Sequence, residues 1–512
     1  MKGIKTNLFV IALINLFVVN SQTINIETNE LDNKIKVETS KLIGSDDKGF
    51  YVASFFTQYK FEVGVNATGE QRVLLIQKFS NDLKLLVEKE VLQDAGETLE
   101  WPIYFGNTLY LITTKLNKKT STWNISGQKL DNTKLFITGS SIPLYSIKKE
   151  VREYLTENSY VISPDGNFLA FHAFPSHGLG KDYSDLLNMK NAVSESIVVV
   201  YNTNMEKVWE KNIELPYKEN KYLPGEVKID NAGNVYILGL AFLEGYEKMS
   251  ADEIKTKNMV HVYNNNGTAV KEINLEMQKA KIMGCLMEFD GSGNIVIAGF
   301  CNSKGNNDTF DAAFSLSIEK NADAISNESI SIFSSEFHAS IQPDNKVKRR
   351  FTIDHLKQTD DGGMVLLAEE YNVSDGTYTI TYNHHSIIAI GIDKEHSISW
   401  VNAIPKKQYS ILPEFTGYNY FISGKNIYLL YNDNRDNLNI KSFNSLDDYA
   451  ERKSVIMLVT IDDSGKWKKE FLPAEINTTI LRTIMSEQMN KNTFIFFEKD
   501  GKNNSVGKMS VN

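Results

Sequence analysis

An all-β repeat architecture is predicted for this chain by three observations. Short β-prone runs are joined by Gly/Asn/Asp turns, and these turns recur at spacings of 57, 60, 67, 60, 70, 62 and 66 residues. A second hairpin follows the first in nearly every repeat. Two hairpins per repeat make a four-stranded antiparallel unit, A-B-C-D, in up-and-down order. Several such units in one chain are the signature of a β-propeller, and eight are expected here, with seven as the alternative.

The clearest hairpin runs from Ile282 to Phe300, where two apolar stretches flank Asp290-Gly291-Ser292-Gly293-Asn294. Gly and Asn tolerate the positive φ that a tight turn requires, and β-branched residues suit the flanking strands. The residue before each B strand marks the repeat: Gly49, Gly106, Gly166, Gly233, Gly293, Gly363, Lys425 and Lys491. The C–D turns are expected at Ser80–Asp82, Ser126-Gly127, Asn202–Asn204, Asn264–Gly267, Lys320–Asp323, Asp393–Glu395 and Asp462–Gly465.

Extra length falls mainly between strands B and C, at 56–71, 172–195, 242–258, 302–311, 369–385 and 431–453. In a propeller the B–C loops and the D–A crossovers share one face, so the elaboration is one-sided. Such a face is where repeat proteins usually bind. Helical turns are expected within two inserts, at Asp182–Met189 and Leu446–Glu451.

The last unit has strands at Thr478–Met485, Thr493–Glu498 and Ser505–Val511, but no fourth strand follows. Thr23–Thr28 is a spare strand before the first unit. Supplying it to the last blade closes the ring and removes the open edges a sheet must otherwise protect.

Ile162-Ser163-Pro164-Asp165-Gly166-Asn167 resembles the repeat of WD40-like periplasmic propellers, and Asp230–Gly239 and Asp290–Gly299 resemble the D-x-x-G-N repeats of secreted bacterial propellers. The resemblance implies a propeller over most of the chain and assigns no function. The WD dipeptide and its paired His are absent, so the tetrad chemistry of true WD40 blades does not carry over.

Residues 1–21 read as a signal peptide: Lys2 and Lys5 precede an apolar run from Leu8 to Val19, too short to span a bilayer. Residues 22–512 are expected to form one secreted or periplasmic propeller domain without a transmembrane anchor. A net charge of −9 argues against nucleic acid as a partner. Cys285 and Cys301 flank the central hairpin, and a bridge between them is left open by the sequence.

There is no phosphate-binding glycine loop, dinucleotide fingerprint, H-E-x-x-H, G-x-S-x-G or zinc-type CxxC. Candidate binding residues therefore come from the B–C inserts: Tyr183, Asp185, Tyr246, Tyr382, His384, Asp433 and Arg435. Tyrosine supplies rigid contact area with a polar tip, and an imidazole can work near neutral pH. No catalytic residue or metal ligand is assigned. No cofactor is expected, the sole candidate being calcium at the oxygen-rich stretch Asn432–Asp436. The leading functional expectation is a scaffold that binds an envelope protein or glycan through the B–C face. A polysaccharide hydrolase or lyase using acids on the same loops is the alternative.

Overall fold

The computed structural model describes residues 24–511, except 32–38, 61–68, 149–158, 174–195, 214–221, 243–255, 306–309, 342–350, 376–379, 450–452, 473–478, 501–502 and positions 95, 278 and 323. Eight antiparallel sheets make up the chain, seven with their strands in sequential order and the eighth completed by the first strand of the chain. The eight-bladed ring is thus observed, and the seven-bladed alternative falls. Its closure is the one anticipated: Ile24–Leu31 lies antiparallel to Asn503–Val511, with Ile24 opposite Val511, as the fourth strand of blade 8.

A separate apolar core lies between each pair of neighbouring blades. Tyr51 and Leu109 join blades 1 and 2, Tyr110 and Phe171 join 2 and 3, and Val198 and Ile237 join 3 and 4. Val260 with Phe314, Phe300 with Leu366, Leu367 with Met457, and Phe421 with Phe494 continue round to blade 8. Finally Phe50 and Val52 of blade 1 pack with Ile495 and Phe497 of blade 8. Burying both faces of every blade explains why the B and C strands read as unbroken apolar runs rather than alternating ones. Ile295–Asn302 and Ala312–Ile318 are buried at every position.

The D-x-x-G-N repeat now has a physical reason. Asp290 Oδ1 accepts the amides of Ser292 and Asn294 at 2.8 Å each, and the Asn294 side-chain amide donates to Asp290 Oδ2 at 2.8 Å. Gly293 takes φ +83°, which lets the turn close. Asp230 and Asn234 repeat the same bonds one blade earlier.

Several local expectations are corrected. Ser126-Gly127 lies inside the C strand Thr122–Leu130; the real C–D turn of blade 2 is Asp131–Phe136, where Asp131 caps two amides. The described residues of the 56–71 and 369–385 inserts are strand: blade 1 strands run to Lys60 and from Gly69, and blade 6 strands run to Asp375 and from Ile380. The helical turn near Leu446 sits earlier, as a 3-10 turn at Phe443–Ser445. Asp182–Met189 lies outside the described residues. A short α-helix, Ser335–Ile341, follows blade 5 and places Phe337 and Ile341 in the core between blades 5 and 6. Cys285 and Cys301 are both free; in the register Cys285 faces Gly299 and Cys301 faces Ile282. Among the described residues no helix is long and apolar enough to cross a membrane.

Candidate functional site

Neighbouring blades touch through their A strands, while exposed apolar residues such as Leu85, Val208 and Ile332 lie on D strands. The A strands therefore line the axis of the ring and the D strands form its rim. Two places on blades 6 to 8 bring polar and titratable side chains together.

The first is the B–C end of blade 6. Strand B (Met364–Asp375) pairs with strand C (Ile380–Ile392), and Gln408–Ser410 adds a third strand beyond the blade proper. Tyr382 faces Val373 on one side and Ser410 on the other. Because side chains alternate, Val373, Ile380, Tyr382, Tyr371 and His384 share one face of this extension. Val373 and Ile380 are 44% and 49% exposed. Tyr409 belongs to the opposite face, and Ile411 and Leu412 follow it, all three exposed.

The base of the extension is a buried polar network. Lys406 has no solvent exposure, and its ammonium meets Glu369 Oε1 at 2.5 Å and Gln408 Oε1 at 2.8 Å. Glu369 Oε2 meets His384 Nδ1 at 2.5 Å, and the His384 ring lies 4.6 Å from that of Tyr371. Gln408 also accepts the Gly417 amide and donates to the Asn432 carbonyl, which ties the extension to blade 7. Burial works against the charge on Glu369, but Lys406 and His384 outweigh it and hold the carboxyl below its ordinary range.

Of the residues expected at a site, Tyr382 and His384 come together here. Asp433 does not: it is the penultimate residue of strand B in blade 7 (Asn426–Asn434), fully buried, with Oδ1 accepting the Asn434 amide and the Asn437 side chain. Its role is to hold the following loop, so the exposed contact expected of it is corrected. Asn432 is likewise spent on Phe415 and Leu481 backbone groups. Arg435 is exposed at the start of a 3-10 turn. Tyr183, Asp185 and Tyr246 lie outside the described residues. Among the described residues no three His, Cys, Asp or Glu side chains converge as a metal site requires.

The second place is a cavity of about 660 Å³ on the ring axis. Its walls are the A strands of blades 6, 7 and 8, with His355, Lys357, Tyr418, Tyr420 and Glu487 among the lining residues. It reaches the A–B turns at Asp360 and Lys491, so it approaches the face opposite the extension. The two places meet at Tyr418, whose hydroxyl donates to Asp354 Oδ2 at 2.9 Å. Burial, reinforced by the nearby charge of Glu369, pushes the Asp354 carboxyl up to about 8. Burial also lowers His355 to about 4, leaving a neutral imidazole.

None of these axial residues was singled out from sequence. A usable signal existed: charged residues interrupt the A strands at Lys41, Glu226, Lys228, Glu288, Lys357 and Glu487.

No family model matches the chain, and no curated protein matches it. Among solved structures, the propeller domain of the Trilobed protease from Pyrococcus furiosus is 11% identical, with 87% of this chain and 98% of that one covered at a TM-score of 0.37. Prolyl oligopeptidase B from Galerina marginata is 10% identical, covering 90% of this chain and 55% of that one at 0.39. A putative 6-phosphogluconolactonase from Bacteroides uniformis is 11% identical, covering 83% and 95% at 0.34. At these identities and scores no activity transfers.

Proposed function

We propose that this chain is a protein-binding scaffold, exported to the periplasm or beyond, that docks a cell-envelope partner on the blade 6 extension. The observation that carries the reading is the face bearing Val373, Ile380 and Tyr382, with exposed Tyr409 on the reverse of the same extension and exposed Ile411 and Leu412 just beyond it. Clustered exposed apolar side chains on a folded domain mark interaction surfaces, and tyrosine is a favoured anchor. The Lys406–Glu369–His384 network beneath makes the platform rigid, so little ordering cost falls on binding. Export is supported by the signal-like segment at residues 1–21.

The test is capture from an envelope extract by residues 22–512, compared with the same chain carrying Val373→Asp and Ile380→Asp. A partner retained equally by both removes the extension as the site.

A glycan-cleaving enzyme is the second reading. One observation favours it: Asp354, protonated at neutral pH beside Tyr418, has the state a general acid needs. Polysaccharide turnover abolished by Asp354→Asn would support it.

A further inference from the structure

The axial cavity meets the buried base of the extension at Tyr418 but opens toward the other face and has a chemistry of its own. Tyr420 lies in the strand Asn419–Ser423 and Tyr418 just precedes it, and both line the cavity. His355, from the neighbouring blade, packs 4.3 Å from the Tyr420 ring and 6.2 Å from Tyr418. Together they form an aromatic wall.

The charges around the cavity are matched. Lys357 lies 3.5 Å from Glu288, which also meets Lys228 at 2.9 Å. Lys491 pairs with Asp360 at 2.9 Å. Glu487 is reached by solvent but surrounded by the ring; burial raises its carboxyl, while Lys41 and Lys357 draw it back. Those two lysines stand on blades 1 and 6, on either side of it round the ring. His355, the Tyr420 hydroxyl and the Glu487 carboxylate make no hydrogen bond to another described residue, so they are available to a ligand.

A wall of aromatic rings, unspent polar groups and balanced charge fit one ligand class better than others. An anion would have to compete with Glu288 and Asp360 for the lysines, and a cation at Glu487 would meet the charges of Lys41 and Lys357. A purely apolar molecule would strand the polar groups without water. A neutral pyranose sugar offers an apolar C–H face to the tyrosines and hydroxyls to Glu487, His355 and Tyr420. The cavity volume lies within the usual range for small-ligand sites, roughly 300–1,000 Å³. We propose that the axial cavity between blades 6, 7 and 8 is a binding site for a neutral sugar, one ring face resting on Tyr420 and its hydroxyls held by Glu487.

The test is saturation-transfer-difference NMR on residues 22–512 with methyl α-glucoside, methyl β-galactoside, N-acetylglucosamine and glucuronate as separate probes. At least one of the three neutral sugars should receive saturation at its ring C–H protons. That signal should fall at least about fivefold in both Tyr420→Ala and Glu487→Gln, the loss expected from removing one stacking ring or one charge-assisted bond. Tyr420→Phe should keep most of it, and Tyr382→Ala on the distant extension should keep all of it. Saturation of glucuronate alone, of none of the sugars, or to the same extent in Glu487→Gln as in the unaltered chain would overturn the assignment. Glu487→Gln preserves shape, so the result does not depend on whether Tyr420→Ala folds.

Discussion

Lys406 and Glu369 meet at 2.5 Å with the lysine wholly removed from solvent, in a protein whose blade-to-blade cores are built of apolar side chains. A buried ion pair is costly to assemble and costlier to break, because the survivor is left charged in a poor solvent. Lys406→Met should therefore destabilise the chain by about 3–5 kcal/mol, and the Lys406→Met, Glu369→Gln pair by less than Lys406→Met alone. Urea unfolding of the three chains checks this; a single variant within about 0.5 kcal/mol of the parent contradicts it.

Asp354 gives a pH dependence with a definite sign. Its carboxyl is raised by burial and by Glu369 to about 8 in the folded chain, against 3.8 as the ordinary value. Between those values the folded state holds a proton that the unfolded state has lost. The contribution to stability is thus fully present below about pH 4 and is lost as pH rises through about 8. Asp354→Asn should flatten that decline in urea midpoints measured from pH 5 to pH 9, and an unchanged slope would reject it.

Ring closure rests on the N-terminal strand. Ile24 and Ile26 pack on the core shared by blades 7 and 8, and Ile24–Leu31 covers the edge of Asn503–Val511. Removing residues 22–31 should lower the melting temperature and expose an aggregation-prone edge. Hydrogen exchange offers a gentler check: amides of 24–31 should be protected together with those of 503–511.

Glycine opposite an aromatic ring is a second structural device. Gly391 pairs with Trp400, and a Cβ at Gly391 would lie 2.2 Å from the indole; Gly507 pairs with Phe496, and a Cβ there would lie 2.1 Å from that ring. Gly391→Ala should cost roughly 1–3 kcal/mol through forced repacking, read as a shift in thermal midpoint.

The fold was legible because its signals are local. Asp290, Gly293 and Asn294 make their turn among themselves, so a five-residue window carries the whole instruction. The missing D strand of blade 8 could be inferred from Thr23–Thr28 because strand count is a property of order alone. Gly127 misled because a glycine within a strand looks like a turn until its neighbours are paired; its neighbours there are Ile112 and Leu144 side chains. The site was less legible. Glu369 and His384 meet only once strands B and C pair, and the pairing of Gln408–Ser410 with strand C then adds Lys406. Tyr382 and His384 drew attention because they lie on an elongated insert, whereas Asp433 lay on one too and is a buried loop anchor. Insert length reports exposure only when the insert is not itself strand or tightly bonded loop.

The most direct measurement is site-specific photocrosslinking with p-benzoylphenylalanine placed at position 382, and at position 136 as a control. Phe136 is 48% exposed but lies at the C–D turn of blade 2, on the opposite face. The docking account predicts one discrete crosslinked envelope protein from position 382, absent from position 136 and lost when Val373→Asp and Ile380→Asp are added. Equal crosslinking from both positions, or none from position 382, would contradict it.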